Sequence, residues 1–314
     1  MYGEVLIRKA SLEDVWGIVD VYCSGVEKWY RLVGGRKVES SYEELSIVER
    51  WSHGGPWMSV ESCAVHLNYV LVNDQYPLVA VVDDKIVGEL ELYIGYGDEL
   101  LGRHGYIDVL EVHRSYRRRG IGRALVEKAV EIAGDNGCET VAVWPDPNAI
   151  GFYEKIGLDK IAYRVKYVKL DITKTKPLKP DQLDIRDFPE NYGMLEKWFF
   201  ISPRIETSYI AWLKSRWDYA IEQEILRSFE ATMNNEVALI IEEIWGEKNE
   251  ANLYLWIKDK NLLDQALELS MGIAKHLGFN SLRLLASREI YEKQIEKYKH
   301  QILQDYIVLY REIK

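Results

Sequence analysis

An α/β (α+β) fold is predicted for this chain of 314 residues, because short apolar runs alternate along it with segments of helical spacing. The clearest alternation covers residues 106–122, where an apolar strand leads through a basic turn and Gly-Ile-Gly into an amphipathic helix. Before it, two strand-like runs flank Asp83-Asp84-Lys85, as in a β-hairpin. The length is sufficient for two domains of ordinary size, and we expect two.

Composition and charge restrict the class of protein. Hydrophobic residues make up 47% of the chain and charged residues 29%, which is typical of a soluble globular protein. The sequence has no apolar run that would span a bilayer and no apolar segment of a secretory signal near its start. Its three cysteines are scattered, so we expect a cytoplasmic protein without disulfides or a metal site. The net charge of −10 argues against nucleic acid as a partner.

Local patterns place the elements of the first half in order. Residues 5–9 form a strand, and Ser11 with Asp14 forms a capping box for a helix that runs through Val26. The patterns after it predict helices at 43–51 and 61–74, hairpin strands at 78–82 and 86–96, a strand at 106–112, a helix at 122–135, a strand at 140–144, a short helix at 149–157 and a strand at 161–170.

The turn at 117–122 has the chemistry of an anion site. A helix that begins near Gly122 leaves its first N–H groups without intrahelical acceptors and carries the positive end of its dipole there. Gly120 and Gly122 lack a Cβ, so a pyrophosphate can approach the backbone closely. An ordinary strand–helix turn with a solvated basic face is the alternative. A dinucleotide-binding fold fits poorly, because Leu125 stands where its third glycine belongs.

Two segments carry a resemblance to a known family, the GNAT acetyltransferases. Arg117-Arg118-Arg119-Gly120-Ile121-Gly122 fits the Gln/Arg-x-x-Gly-x-Gly/Ala pattern of that superfamily, and Ala149, Phe152, Tyr153 and Gly157 fit its second pattern. Asp146 and Leu158 depart from the second pattern, which usually has Asn and Phe there. Residues 1–172 therefore resemble a GNAT domain. The resemblance implies a mixed, mostly antiparallel sheet that splays between its fourth and fifth strands, with flanking helices.

The resemblance implies acetyl-CoA as the acyl donor. Its pantetheine arm would lie along strand 106–112, bonded by backbone groups of Leu110 and Val112, and the Val112 amide would also donate to the oxyanion. The residues implied in cofactor binding are Leu110, Val112, Arg117, Arg118, Arg119, Gly120, Ile121, Gly122, Arg123, Asn148 and Phe152.

Three residues are candidates for proton transfer. Tyr153 matches the tyrosine that protonates the leaving sulfur in many GNAT enzymes, and a core tyrosine is the alternative. Asp108 and Glu111 lie on strand 106–112 and, by alternation, on opposite faces. Asp108 is a charge in an otherwise apolar strand, so burial would raise its pKa toward that of a general base. For Glu111 the alternative to a role as base is a solvated position without a catalytic role. Many members of the family use a water chain with no single base.

The second half of the chain is similar to the first in the order of its patterns. Residues 173–181 are predicted to link domains at 1–172 and 182–314, because prolines and lysines replace apolar residues there. WFFISPR and YIAWLKSRWDYAIEQEILRSF are predicted to be helical, and VALIIEEIW and ANLYLWIK to be strands. Residues 259–263 stand where the Arg-x-x-Gly-x-Gly loop belongs, which favours a degenerate GNAT-like domain without a cofactor. An unrelated α+β domain is the alternative.

The resulting hypothesis is an N-acetyltransferase that transfers an acetyl group from acetyl-CoA to a primary amine by direct attack. A non-catalytic module that senses acetyl-CoA is the alternative. The acceptor, a small molecule or a protein amine, is expected between residues 25–76 and the hairpin loop 95–104, where Asp98-Glu99 would attract a cationic amine. We expect no membrane partner, and a chain that is a monomer or a homodimer.

Overall fold

The computed structural model describes residues 4–97, 100–217 and 226–313, and the chain forms two compact units. Unit 1 contains the described residues of 1–95, 101–143 and 311–314, and unit 2 those of 96–100 and 144–310. Residues 144–172, which the sequence patterns assign to the first domain, thus belong to unit 2 by their contacts. The linker at 173–181 is a feature of composition and stays a prediction. Within these described ranges no helix is long and apolar enough to cross a membrane.

The sheet of unit 1 confirms the predicted hairpin and the strand before the basic turn. Its strands are β1 (Leu6–Lys9), β4 (Tyr76–Val82), β5 (Lys85–Tyr96), β6 (Arg103–Val112) and β7 (Thr140–Val143), and β2 (Tyr30–Val33) and β3 (Arg36–Glu39) form a separate hairpin. The order is β1-β4-β5-β6-β7, with β4 antiparallel to both β1 and β5. The hairpin of β2 and β3 was not predicted.

The helices of unit 1 pack around this sheet. They are α1 (Val15–Cys23), α2 (Ile47–Trp51), α3 (Val60–Val72) and α4 (Ile121–Asp135). The predicted capping box is present, since the Asp14 carboxylate accepts from the Ser11 amide at 2.8 Å. α1 and α3 bury apolar side chains such as Ile18 and Leu67 against Val79 of β4. The segment predicted to be helical from residue 43 becomes helical only after Ser46, whose hydroxyl accepts from the Glu49 amide and caps α2.

The sheet of unit 1 splays next to β6. β6 and β7 are parallel, and their paired residues run from His104 opposite Thr140 to Ile107 opposite Val143. β6 continues for five more residues, 108–112, beyond the last of these pairs. This is the splay between the fourth and fifth strands that the sequence implied, because β1, β4, β5, β6 and β7 are the successive strands of this sheet.

The strands of unit 2 are also arranged in a mixed pattern, parallel and antiparallel. Its strands are β8 (Lys160–Asp171), β9 (Ile185–Arg186), β10 (Phe199–Ile201), β11 (Ser228–Met233), β12 (Val237–Ile244), β13 (Glu247–Ile257), β14 (Ser281–Ser287) and β15 (His300–Glu312), and its helices are α5 (Ile150–Lys155), α6 (Ser208–Ser215), α7 (Leu263–His276) and the short α8 (Arg288–Ile290). The order is β15-β8-β14-β13-β12-β11-β9, with β10 on β13. The core lies under α7, where Leu253, Leu267 and Phe279 are fully buried.

One helix predicted in the second half is wrong, and the other is correct over only part of its length. Phe199–Ile201 is β10, antiparallel to the end of β13, and Ser228–Met233 is β11, antiparallel to β12. Short aromatic and β-branched runs have the same apolar content in a helix as in a strand, and here pairing with distant strands decides. The long run predicted as one helix is helical at Ser208–Ser215, and its residues 218–225 lie outside the described ranges.

Candidate active site

The basic turn after β6 has the backbone conformation of an anion-binding loop. Gly120 is the N-cap of α4 and has a left-handed backbone with φ of +85°. Nothing lies within 4 Å of a Cβ placed on Gly120, so this residue faces open space. Arg118 also has a positive φ, of +65°. The amides at the start of α4 therefore lie beside an accessible turn with the positive end of the helix dipole.

The arginines of this loop are exposed and make local contacts. Arg117 donates from its Nε to the Val112 carbonyl at 3.0 Å and forms an ion pair with Glu111 at 2.7 Å. Arg119 donates to the Ser115 carbonyl at 2.7 Å. Arg123 forms an ion pair with Glu127 at 2.7 Å, one turn along α4. Together with the exposed Arg118, they give the loop a positive surface that suits a polyanion.

The Val112 amide, predicted to be an oxyanion donor, donates to the carboxylate of Glu111 at 3.1 Å. The same Oε1 atom of Glu111 accepts from Arg117. A carboxylate oxygen thus lies where the predicted oxyanion would lie. Glu111 is about one-third exposed, so its side chain can leave this position without unfolding the strand.

A buried polar network lies on β5, beside β6. Glu89 and Glu91 are both 1% exposed and share a face of the strand, because alternate residues do. Glu91 accepts hydrogen bonds from Trp57 at 3.1 Å and Tyr93 at 2.7 Å, and lies 2.6 Å from Nε2 of His66. Glu89 accepts one hydrogen bond in the described part of the chain, from the hydroxyl of Tyr22 at 2.6 Å.

The two carboxylates therefore have different environments. Burial, and then the neighbouring charge of Glu91, raise the pKa of Glu89 well above its ordinary value, while the hydrogen bond from Tyr22 opposes this. The pKa of Tyr22 is raised well above its ordinary value by burial and then by the charges of Glu89 and Glu91. The ring of Tyr22 stacks on that of Trp57, with centroids 5.0 Å apart. The hydroxyl proton of Tyr22 thus lies between two oxygens whose pKa values are both raised by burial.

Three of the predicted site residues belong to unit 2. Tyr153 is 6% exposed on α5 and packs edge-on against Phe152, with ring centroids 4.9 Å apart. Asn148 lines a cleft of about 380 Å³ that is also lined by Trp144, Pro145, Asp146, Pro147, Gln304 and Tyr306. The indole Nε1 of Trp144 is buried there without a hydrogen-bond partner among the described residues.

Comparison with known proteins identifies the first part of the chain. Residues 38–158 match the model of the acetyltransferase (GNAT) family. This part of the chain is a GNAT domain. N-alpha-acetyltransferase 30 of Xenopus laevis is 30% identical over 107 residues, which are 32% of this chain and 39% of that protein. Glucosamine 6-phosphate N-acetyltransferase of Candida albicans is 28% identical over 128 residues, 38% of this chain and 75% of that one.

Solved structures extend the GNAT fold to the whole chain. A tandem GNAT protein of the clavulanic acid biosynthesis pathway matches 99% of this chain and 99% of its own, with a TM-score of 0.51 and 14% identity. A GCN5-related N-acetyltransferase from Anabaena variabilis matches 99% of this chain and 73% of its own, with a TM-score of 0.60 and 11% identity. Unit 2 therefore contributes the second fold of a tandem GNAT architecture, in agreement with the repeat seen in the sequence.

Unit 1 has backbone features that suit an extended ligand with a phosphate group. The five residues of β6 beyond its pairing with β7 offer backbone groups to an extended ligand, and the open space at Gly120 admits a phosphate. Asp108, Leu110, Glu111, Val112 and 117–123 lie together on unit 1. Asn148, Phe152 and Tyr153 lie on unit 2.

The acidic pair Asp98-Glu99 lies outside the described residues. Glu89 and Glu91 were not predicted as site residues, although two glutamates at alternate positions of an otherwise apolar strand are an available signal. No group of three or more His, Cys, Asp or Glu side chains in the described ranges is arranged to hold a metal ion.

Proposed function

We propose that this protein transfers an acetyl group from acetyl-CoA to a primary amine by direct attack. The observation that carries the proposal is the combination, within unit 1, of the extension of β6 past β7 with the open left-handed turn at Gly120. Acetyl-CoA supplies the activated thioester. The amides of 118–122 and the four arginines of the loop would hold its phosphates, and Leu110 and Val112 its pantetheine arm.

The residues of the chain then have distinct parts in the reaction. The Val112 amide donates to the thioester oxygen after the Glu111 carboxylate has left it, and so stabilises negative charge as it develops. The hydroxyl of Tyr153 donates a proton to the departing sulfur. An acceptor that is a cation suits unit 1, because Glu111 has a partly exposed carboxylate on β6 and the buried carboxyl groups of Glu89 and Glu91 lie on the neighbouring β5.

The acceptor is an amine of unspecified class. One relative is named an N-alpha-acetyltransferase, and the other is named a glucosamine 6-phosphate N-acetyltransferase. The acidic side chains around β5 and β6 oppose a phosphorylated acceptor, so a peptide or small cationic amine fits better. The chain spans 39% of the length of the first relative, so the name of that relative does not establish the acceptor of this chain.

A thiol-release assay tests this function. Acetyl-CoA is incubated with the protein and a panel of short peptides with a free N-terminus, lysine-containing peptides, small diamines and glucosamine 6-phosphate. We expect release of coenzyme A with at least one cationic amine and no release with the N-acetylated form of the same compound. If the protein binds acetyl-CoA but releases no coenzyme A with any amine of the panel, the result would support the alternative, a sensor of acetyl-CoA.

A further inference from the structure

The two buried glutamates of β5 differ in how many donors they have. Trp57, His66 and Tyr93 surround Glu91, so its charge is compensated by fixed partners within the core. Glu89 is equally buried, at 1% exposed, and has the hydroxyl of Tyr22 as its hydrogen-bond donor in the described ranges. A buried carboxylate with so little compensation costs stability. The chain keeps it nevertheless, which points to a chemical use.

Glu89 lies beside the part of β6 that extends past β7. The His113 amide donates to the Val87 carbonyl at 2.9 Å, and a Cβ on Gly88 would lie 3.2 Å from the carbonyl oxygen of Glu111. The segment 87–89 therefore runs along residues 111–113. Tyr22 lies on α1, whose end is joined to the same region by the bond from the Arg114 amide to Ser24 Oγ, at 2.9 Å.

Unit 2 shows what the same fold does without these side chains. There the Lys258 amide donates to the Glu236 carbonyl at 2.8 Å, the counterpart of the bond from His113 to Val87. Counting from these bonds, Ala238 and Ile240 occupy the positions of Glu89 and Glu91. Both are buried in a cluster with Trp256, the counterpart of Glu111. The sheet therefore forms with apolar residues at these positions, and folding does not require the carboxylates.

We propose that Glu89 is the group that takes the proton from the acceptor amine, with the hydroxyl of Tyr22 as the relay between them. The inference rests on the proposed acetyl transfer and adds the route by which the amine becomes a nucleophile. Tyr22 is half-buried and Glu89 is 1% exposed, so in this proposal the hydroxyl of Tyr22 stands between Glu89 and the acceptor amine.

In the proposed reaction the acceptor amine loses a proton before the C–N bond forms. The ammonium of the acceptor gives a proton to the oxygen of Tyr22 as the hydroxyl proton of Tyr22 passes to the Glu89 carboxylate. The nitrogen lone pair then forms the C–N bond at the thioester carbon, and the C–S bond breaks with its electrons on sulfur. The sulfur takes a proton from the hydroxyl of Tyr153. The acylated nitrogen still carries two protons, and one of them restores Tyr153 while the other stays on the amide product. Glu89 returns its proton to solvent through Tyr22.

The direction of the pH dependence follows from the surroundings of Glu89. The titratable groups that face it are Tyr22 on α1, Cys63 and His66 on α3, Glu91 on β5, and Asp108 and Glu111 on β6. Burial, and then the charges among these groups, raise the pKa of Glu89 above the ordinary 4.5. Below that raised pKa Glu89 holds a proton and cannot accept another. Activity therefore falls on the acid side at a higher pH than an ordinary glutamate would give.

The first arm of the test measures turnover with the best amine of the panel. Glu89→Gln should lower kcat/KM about 10²-fold and abolish its acid limb, with acetyl-CoA affinity unchanged. Tyr22→Phe keeps the stacking on Trp57 but removes the relay, and should show the same loss. Glu91→Gln is the matched control, which should keep an acid limb. The limb should move to lower pH, because the charge of Glu91 is one of the causes that raise the pKa of Glu89. A wild-type profile in Glu89→Gln would overturn the proposal. An inactive wild type would instead remove the proposed function and this inference with it.

The second arm needs no turnover. Because the pKa of Glu89 is raised in the folded state, its contribution to stability is present at low pH and is lost as the pH rises through the folded value. The melting temperature of Glu89→Gln minus that of the wild type should therefore increase from acid to neutral pH in calorimetry. Glu91→Gln should melt lower than the wild type throughout. A difference for Glu89→Gln that is negative and flat with pH would show a structural carboxylate and overturn the proposal.

Discussion

At the scale of single residues, Tyr153 is the sharpest test of the chemistry. Its burial at 6% exposed and its packing on Phe152 suit a core tyrosine as well as a proton donor. Tyr153→Phe keeps the ring and removes the proton, so we expect kcat to fall on the order of 10²-fold while the melting temperature stays near that of the wild type. Steady-state kinetics with the acceptor found in the panel, together with calorimetry, would measure both.

A matched control for Tyr153 is Tyr310→Phe, because Tyr310 is similarly buried, at 9% exposed, and has no part in the proposed reaction. This variant should keep its turnover. If Tyr153→Phe instead melts lower and turns over at the wild-type rate per folded molecule, Tyr153 is a core residue, and water protonates the sulfur.

Glu111 is the second residue with a testable part. Its carboxylate accepts from the Val112 amide and from Arg117, and so competes with a thioester oxygen and with phosphate for the same donors. Glu111→Ala removes this competitor and one negative charge, and we expect acetyl-CoA to bind roughly fivefold more tightly, the effect of about 1 kcal/mol. Titration calorimetry would measure the affinity. Glu127→Ala, which removes the partner of Arg123, should change the acetyl-CoA affinity less than Glu111→Ala does. An equal change of affinity in the two variants would refute a specific role for Glu111.

At the scale of elements, the strands and helices with strong local patterns were predictable. β6 and α4 follow from an apolar run and from Gly120 at the start of an amphipathic helix, and both were found within two or three residues of their predicted bounds. The hairpin of β2 and β3 was missed although Gly34 and Gly35 have the positive φ that such a turn uses, because β3 is exposed and has no apolar face.

The candidate site was predictable only where it depends on the backbone. The loop and β6 are read from glycine spacing and apolar periodicity, which are local. The partners of Glu89 and Glu91 come from α1 and α3, which are distant in sequence from β5, so the glutamates alone do not reveal a network. Phe199–Ile201 was misread for the same reason, because its strand character comes from pairing with β13.

The loop before α4 is the element on which cofactor binding depends. Gly120→Asp places a carboxylate at the positive end of the helix dipole, and we expect a loss of acetyl-CoA affinity of ~10-fold or more. Gly120→Asn is the matched control, since Asn has the same size, carries no charge and tolerates a left-handed backbone. In calorimetric titration, the acetyl-CoA affinity of Gly120→Asn should lie between the affinities of the wild type and of Gly120→Asp. Wild-type affinity in Gly120→Asp would mean that the phosphates bind elsewhere.

At the scale of the whole molecule, unit 2 has the same splay as unit 1 but fills it with its own chain. β13 and β14 are parallel and paired from Glu250 to Asn252, and β13 continues to Ile257. β10 lies antiparallel along that continuation, with Phe199 opposite Ile257 and Ile201 opposite Leu255. Leu255 and Ile257 are the counterparts of Leu110 and Val112. The edge that a pantetheine arm would use in unit 2 is therefore already occupied by a strand.

One acetyl-CoA per chain is the expected stoichiometry. Unit 1 has the extension of β6 and the Gly120 turn, whereas in unit 2 β10 pairs with β13, and Asp259 caps the turn after it by accepting from the Asn261 amide at 2.9 Å. A carboxylate at that turn repels phosphate. Isothermal titration should give one site for the wild type, and Gly120→Asp should weaken that site without revealing another. Two sites of comparable affinity would show that β10 leaves β13 to admit a second ligand, and that unit 2 also binds acetyl-CoA.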